Sequence, residues 1–294
     1  MRLAIIGAKG QVGWELSRRA PMFGHEVLAW DVDELDITDA AAVDQMLGAS
    51  GADAAINAAA YTAVDQAEQE PERAFAVNRD GPAHLAAACA RSNIPLLHIS
   101  TDYVFDGTKP DAYTEDDPAA PLGVYGRSKW EGDEAVRRLL PRHLILRVSW
   151  VFGVEGNNFV KTILRLARER EELRVVADQR GRPSYAGDIA DALLELVGRI
   201  EEIDARKLWG VYHYGGEPAT TWYEFATAIV ERARPTEDLK VRAVIPITAA
   251  DYPTPAARPA NSVLDCSRLA SCFGIYPASW RESLSAMLFA LHGR

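Results

Sequence analysis

"RLAIIGAKGQVG", residues 2–13, is the stretch on which the fold turns. Its first half is a compact apolar run ending in glycine, which reads as a fully buried strand. Its second half places Gly7, Gly10 and Gly13 at G-x-x-G-x-x-G spacing, and a segment of helix length, 11–22, follows. A tight turn there lets backbone amides approach a pyrophosphate, and the helix points its positive end at the charge. A purely structural glycine turn is the other reading. Context favours the first, because the turn follows a strand, opens a helix and begins a βαβ unit. Gly7, Gly10 and Gly13 are therefore expected to bind a nucleotide cofactor.

Four more apolar runs follow: "HEVLAWD" (25–31), "DAAINAAA" (53–60), "IPLLHIST" (94–101) and "HLILRVSW" (143–150). Segments of helix length, 39–49, 68–92 and 122–139, lie among them. Such alternation means an α/β chain, a doubly wound parallel sheet with helices on both faces. The second half is less regular. "GNNFVKTILRLARERE" has apolar residues at helical spacing, and "YAGDIADALLELVGRI" is a further helix. "RVVADQ" reads as a strand, and Thr221 with Glu224 forms a capping box that starts another helix. Residues 251–265, with three prolines, read as an extended loop. The expected division is a nucleotide-binding domain over 1–153 and a smaller lobe over 154–294, interleaved with the first.

A net charge of −10 argues against a nucleic-acid partner, since phosphate backbones need clustered Lys and Arg. A local backbone site still admits an anionic small ligand. Cys89, Cys266 and Cys272 are too few for a disulfide framework and lack zinc-site spacing, so they read as small hydrophobes in a reducing cytoplasm. The N-terminal apolar run is too short for a signal peptide, and no stretch reaches the length of a membrane span. A soluble, cytoplasmic protein is expected.

The second apolar run ends at Asp31, 24 residues after Gly7. An acidic residue there accepts hydrogen bonds from an adenosine ribose and repels a 2′-phosphate. That favours NADH, although a loop-capping role is open and Arg18 and Arg19 lie near enough in sequence to serve a 2′-phosphate. "DIT" (36–38) follows where an adenine would sit. In "NAAAYT" (57–62) three alanines let a flat cofactor lie against the backbone; close helix–strand packing explains them equally well.

The fourth run ends in Ser100 and Thr101, at the carboxyl end of a parallel strand, where such sheets bind ligands. "YGRSK" (125–129) then places Tyr125 four residues before Lys129, on one helix face. A nearby ammonium favours a phenolate and lowers the tyrosine pKa, which suits it to proton transfer at a carbonyl. Chance alone supplies about 0.2 such matches in a chain of this composition. The conjunction with the glycine turn and the strand-end Thr101 is what makes the pair specific.

With those residues in place, the chain resembles the extended short-chain dehydrogenase/reductases and, within them, the dTDP-4-dehydrorhamnose reductase family. The resemblance rests on "GAKGQVGWEL" (7–16), "NAAAYTAVDQAE" (57–68), "STDYVFDG" (100–107), "VYGRSKWEGD" (124–133), "LRVSWVFG" (146–153), "GNNFVKTILRLARER" (156–170) and "YPTPAARPANSVLD" (252–265). It implies a Rossmann-type sheet with a C-terminal substrate-binding lobe, and reduction of the C4 keto group of a dTDP-linked 4-keto-6-deoxy sugar with NADPH or NADH. It implies Tyr125 as proton donor, Lys129 as its helper and holder of the nicotinamide ribose, and Thr101 on the keto oxygen. Gly10, Gln11 and Val12 would contact the cofactor phosphates, Asp31, Asp36 and Ile37 would flank the adenosine, and Ala60, Tyr61 and Thr62 would border the cofactor. Asp102 and Trp150 would touch the sugar, although a core role explains Trp150 as well.

Some members of that family are described as dimers bridged by a metal through glutamates. Glu15 matches one ligand, but the other two positions fall near Gly187 and Ala290, which cannot ligate. Glu15 is therefore expected to be an ordinary exposed residue, with no metal and a monomer or weak homodimer. Two other functions remain open at this point: reduction or epimerisation of another 4-keto nucleotide sugar, and a non-catalytic regulatory subunit of the same fold.

Overall fold

The computed structural model describes residues 1–292. Five strands from the first half, β1 (Arg2–Ile6), β2 (Glu26–Trp30), β3 (Ala54–Asn57), β4 (Leu96–Thr101) and β5 (His143–Val148), form one parallel sheet with a sixth, Gly210–Tyr214. The order is Gly210–Tyr214, β5, β4, β3, β1, β2. The chain runs outward from β1 to β2, then crosses to β3 on the other side of β1. The carboxyl ends of β1 and β3 thus form the switch point, where a crevice opens for ligands.

Side-chain alternation along the strands divides the core in two. Leu3, Ile5, Ala54, Ile56, Leu97, Leu144 and Leu146 face one side, which helix α1 (Gln11–Arg19) and helix Ala186–Val197 cover. Ala4, Ile6, Ala55, Leu96 and Ile145 face the other, under α2 (Ala40–Ser50), helix Gly81–Arg91 and the end of helix Val124–Leu139. Asp39 caps α2 by accepting from the amides of Ala41 and Ala42.

The structure differs from the sequence reading at two places that matter for the site. Segment 68–92 is not one helix. It is a short helix Pro71–Phe75, a π-helical turn Ala76–Asp80 and helix Gly81–Arg91. Within the π turn Asn78 is fully buried, and its side chain binds both the amide and the carbonyl of Tyr61. The second difference is the strand Gly210–Tyr214, "GVYHY", which lacks the Ile/Val/Leu run of the others yet buries Tyr212, His213 and Tyr214 beside β5.

Beyond residue 153 the chain returns to the sheet through helix Ala186–Val197 and strand Gly210–Tyr214. Helices Ile200–Arg206 and Ser267–Phe273 also pack on the sheet, while a separate core gathers Phe152, Ile163, Phe225, Ile229, Trp280 and Leu284. Helix Phe159–Glu169 is capped by Asn158, and helix Trp222–Ala233 by the Thr221–Glu224 box. Strands Glu172–Val176 and Ala243–Ile247 pair in parallel at its edge. Among the described residues, no helix is long and apolar enough to cross a membrane.

Trp280 centres this second core. It is fully buried, its indole N–H donates to the carbonyl of Pro218 at 2.7 Å, and it meets the Phe225 ring edge-on. Trp280→Ala should cost about 3–5 kcal/mol, read as a lowered denaturant midpoint in guanidinium unfolding.

Candidate active site

The glycine turn is built by backbone crowding. A Cβ on Gly13 would lie 2.0 Å from the carbonyl oxygen of Gly7, so α1 can start this close to β1 only without a side chain there. No side chain caps the first turn of α1, which leaves its amides directed at the crevice. The crevice is a cavity of about 430 Å³, lined by Gly7, Gly10, Asp31, Asp36, Ile37, Ala60 and Tyr61 among others. Seven of the residues expected at the cofactor thus share one cavity. Leu35, Arg73 and Val77 also line it and were not foreseen.

The remaining expected cofactor residues do not line that cavity. Val12 is buried in the core, and Gln11 turns its side-chain oxygen to the amide of Asn158 at 3.0 Å, across to the second lobe. Gly13 serves packing, and Thr62 is exposed beyond the cavity. Asp31 accepts from the backbone N–H of Lys9 at 2.7 Å and so pins the glycine turn to the end of β2. Lys9 itself pairs with Asp33 at 2.6 Å. Arg18 and Arg19 are not at the crevice, because both are held by Glu15 at 2.8 Å. Lys9 and Arg73 are the cations that line it.

That pairing corrects the reading of Glu15. It is 1% exposed rather than a surface residue, and it also accepts from the Tyr185 hydroxyl at 3.0 Å. Burial pushes its carboxyl up, but Arg19, Arg18 and Tyr185 outweigh burial and hold it below the usual range. A Cβ on Gly187 would lie 2.4 Å from the Arg19 guanidinium, so a cation of the chain's own already fills that space. Among the described residues, no group of three His, Cys, Asp or Glu side chains could hold a metal ion.

At the carboxyl end of β4, Thr101 donates to Asp102 at 3.1 Å and accepts from the amide of Tyr103. Tyr125 stands in the first turn of helix Val124–Leu139, edge-on to the Tyr103 ring at 5.5 Å. Lys129, one turn on, is 2% exposed and donates to the carbonyl of Ile99 at 2.8 Å. Two glycines bring this helix so close. A Cβ on Gly126 would meet the carbonyl oxygen of Tyr103 at 2.2 Å, and one on Gly132 that of Asn78 at 2.1 Å. Glu68 anchors the helix start by accepting from the amide of Val124 at 2.8 Å, and Asn78 donates to Ser128 at 3.0 Å. Gly126, Gly132, Glu68 and Asn78 were missed because each acts through contacts distant in sequence.

Electrostatics sharpen the roles. Burial pushes the Tyr125 phenol up to about 12; a hydrogen bond with Thr101 opposes this, and Asp102 and Asp133 add to it. The lowering expected from Lys129 is not found, because its ammonium is turned to the Ile99 carbonyl, and Tyr125 keeps its proton at neutral pH. Burial brings Lys129 down to about 8 against the pull of Asp133. Asp102 is 2% exposed, and its Oδ2 has no hydrogen-bond partner. Burial lifts its carboxyl to about 7, against Ser262, Thr101 and nearby amides.

On the lobe side, Trp150 takes a left-handed backbone conformation at φ +46° just past β5. Its ring stacks on Trp222 with centroids 3.5 Å apart, and Phe159 leans on Trp222 from behind. No periodicity in the sequence singles out Trp222. The segment "YPTPAARPANSVLD" returns to the same region. Arg258 binds Asp65 through two contacts, and Asn261 donates to the carbonyls of Lys109 and Asp111.

Fold and site together define a nucleotide-dependent oxidoreductase of the short-chain dehydrogenase/reductase type. The family model described as RmlD substrate binding domain matches residues 1–292. The dTDP-4-dehydrorhamnose reductase of Aggregatibacter actinomycetemcomitans is 49% identical, over 96% of this chain and 97% of that one. Crystal structures of dTDP-4-dehydrorhamnose reductases from Clostridium acetobutylicum and from Bacillus anthracis, the latter in complex with NADP, each superpose with a TM-score of 0.91 at 36% identity. They cover 99% and 98% of this chain, and 100% and 99% of their own. The chain belongs to this family, that of the dTDP-4-dehydrorhamnose reductases.

Asp102 generates a prediction of its own. With its folded pKa raised, the unfolded chain ionises first as pH climbs, so wild-type stability falls from about pH 4 to about pH 7. Asp102→Asn removes that loss. Its Tm should exceed wild type by at least about 3 °C near pH 8 and match it near pH 4, by calorimetry across the range.

Proposed function

We propose that the protein reduces the C4 keto group of dTDP-4-dehydro-L-rhamnose to give dTDP-L-rhamnose, using NAD(P)H. The observation that carries this is the meeting of Thr101, Tyr125 and Lys129 at the end of β4, beside the glycine-lined cavity, in a chain of this family.

The residues around the cavity fit the cofactor. The uncapped first turn of α1 and Gly10 offer amides to a pyrophosphate, and Asp36 and Ile37 border the adenosine end. When bound, the dihydronicotinamide supplies a hydride. Thr101 donates to the C4 oxygen and Tyr125 delivers the proton that oxygen needs as it becomes an alcohol. A reduction calls for an acid that holds its proton until negative charge appears, and burial gives Tyr125 that property. The Lys129 ammonium then steadies the phenolate left behind. Asp102 and the Trp150–Trp222 stack hold the sugar. In this reading residues 1–153 bind the cofactor and residues 154–294 form mainly the substrate lobe. The chain works as a monomer or weak homodimer in the cytoplasm, with Glu15 closed by its own arginines.

Purified protein mixed with dTDP-4-dehydro-L-rhamnose should oxidise NADPH or NADH, followed by absorbance; no oxidation of either cofactor would refute the assignment. Tyr125→Phe should lower kcat by about 10²–10⁴ and leave nucleotide affinity, measured by fluorescence quenching, unchanged.

A further inference from the structure

Beneath Lys129 lies a buried polar cluster that the mechanism above does not use. Tyr125, Lys129 and Asp133 are spaced four apart on one face of helix Val124–Leu139. Asp133 is fully buried, with no exposed surface. Its Oδ2 accepts from Ser100 at 2.9 Å and faces the Arg147 guanidinium at 3.3 Å. Its Oδ1 has no hydrogen-bond partner and lies 3.7 Å from His98 Nε2, which is in turn 3.5 Å from the Lys129 ammonium. Ser100 and His98 come from β4 and Arg147 from β5, so three elements meet at this carboxylate.

The hydrogen-bond chain fixes the protonation of His98. The Ala59 amide donates to Asn57 Oδ1, which turns the Asn57 NH₂ toward His98 Nδ1 at 3.0 Å. Nδ1 therefore accepts, and the ring proton sits on Nε2. A protonated Nε2 cannot accept from Lys129. The ammonium is left with the Ile99 carbonyl and the field of a single carboxylate. The titratable and charged groups near it are Tyr125 and Asp133 on its own helix, His98 on β4, and Arg147 and His143 on β5; Asp102 acts on Tyr125. Asp133 is the one anion that acts on Lys129 directly.

We infer that Asp133 is a positioning residue for Lys129, holding its ammonium charged and directed at the Ile99 carbonyl beside Tyr125. The inference rests on the assignment of Tyr125 and Lys129 above. A lysine buried in this way loses its proton as pH rises through about 8, and Asp133 is what opposes the loss. Burial raises the Asp133 carboxyl, and Arg147, Lys129 and Ser100 work against that rise. The Arg147 guanidinium at 3.3 Å is the contact a carboxylate takes, and Ser100 satisfies the same oxygen.

The test is the pH profile of kcat for dTDP-4-dehydro-L-rhamnose reduction. Asp133→Asn keeps the shape and the Ser100 contact but removes the charge. The alkaline limb should move down by about one pH unit or more, with the KM for the nucleotide little changed. Asp133→Glu should return the limb toward wild type. A folded Asp133→Asn protein with the wild-type limb and only a lowered Tm would overturn the inference. Should that variant fail to fold, Ser100→Ala carries the test: the same downward movement, smaller, supports the inference, and an unmoved limb refutes it. Tyr125→Phe is assayed alongside. If it retains activity, the assignment of the donor is at fault; if it is inactive while Asp133→Asn keeps the wild-type limb, only the role of Asp133 falls.

Discussion

The close approach of helix Val124–Leu139 to the end of β4 is the constraint on which the site depends. Two side-chain-free positions, Gly126 and Gly132, let it lie against the backbone of Tyr103 and of Asn78. That contact sets where Tyr125 stands relative to Thr101, and it buries Lys129 and Asp133 against β4 and β5. The π-helical turn that carries Asn78 belongs to the same arrangement, since Asn78 ties helix Val124–Leu139 to the cavity wall at Tyr61. A wider separation would leave the same residue types in sequence order with no common site.

Burial is the dominant electrostatic force here, and it acts in opposite directions on acids and bases. It keeps Tyr125 protonated and draws protons off Lys129. The buried carboxyls Asp102 and Asp133 differ in what surrounds them. Burial raises both; at Asp133 the cations Arg147 and Lys129 oppose the rise, while at Asp102 only hydroxyls and amides do, and it reaches about 7. Asp102, lifted to about 7, and Lys129, brought down to about 8, owe their shifts to environment, not to residue type.

Much of this was legible in the sequence. The apolar runs and the glycine turn announce a parallel sheet, because a strand buried on both faces has few alternatives to Ile, Val, Leu and Ala. Strand β2 departs from that expectation, since it lies at the sheet edge with no residue fully buried. Thr101, Tyr125 and Lys129 were legible because strand-end and i,i+4 placement are local rules. Strand Gly210–Tyr214 was not, since its burial depends on β5 alongside it. Trp222 was not, because its partner Trp150 lies far away in the chain and no spacing connects them. Glu15 read as exposed because nothing near it in sequence reveals Tyr185 and helix Ala186–Val197 closing over it.

Gln11 follows the glycine turn directly, yet its side chain reaches across to Asn158. Asn158 in turn caps helix Phe159–Glu169, whose first residue leans on Trp222. One hydrogen bond therefore joins the first turn of α1 to the aromatic wall of the other lobe. Any ligand that displaces Gln11 also loads the cap of that helix, and any ligand that moves the aromatic wall pulls on Gln11. Thermodynamic linkage makes such an effect reciprocal: whatever one occupant does to the affinity of the other is returned in equal measure.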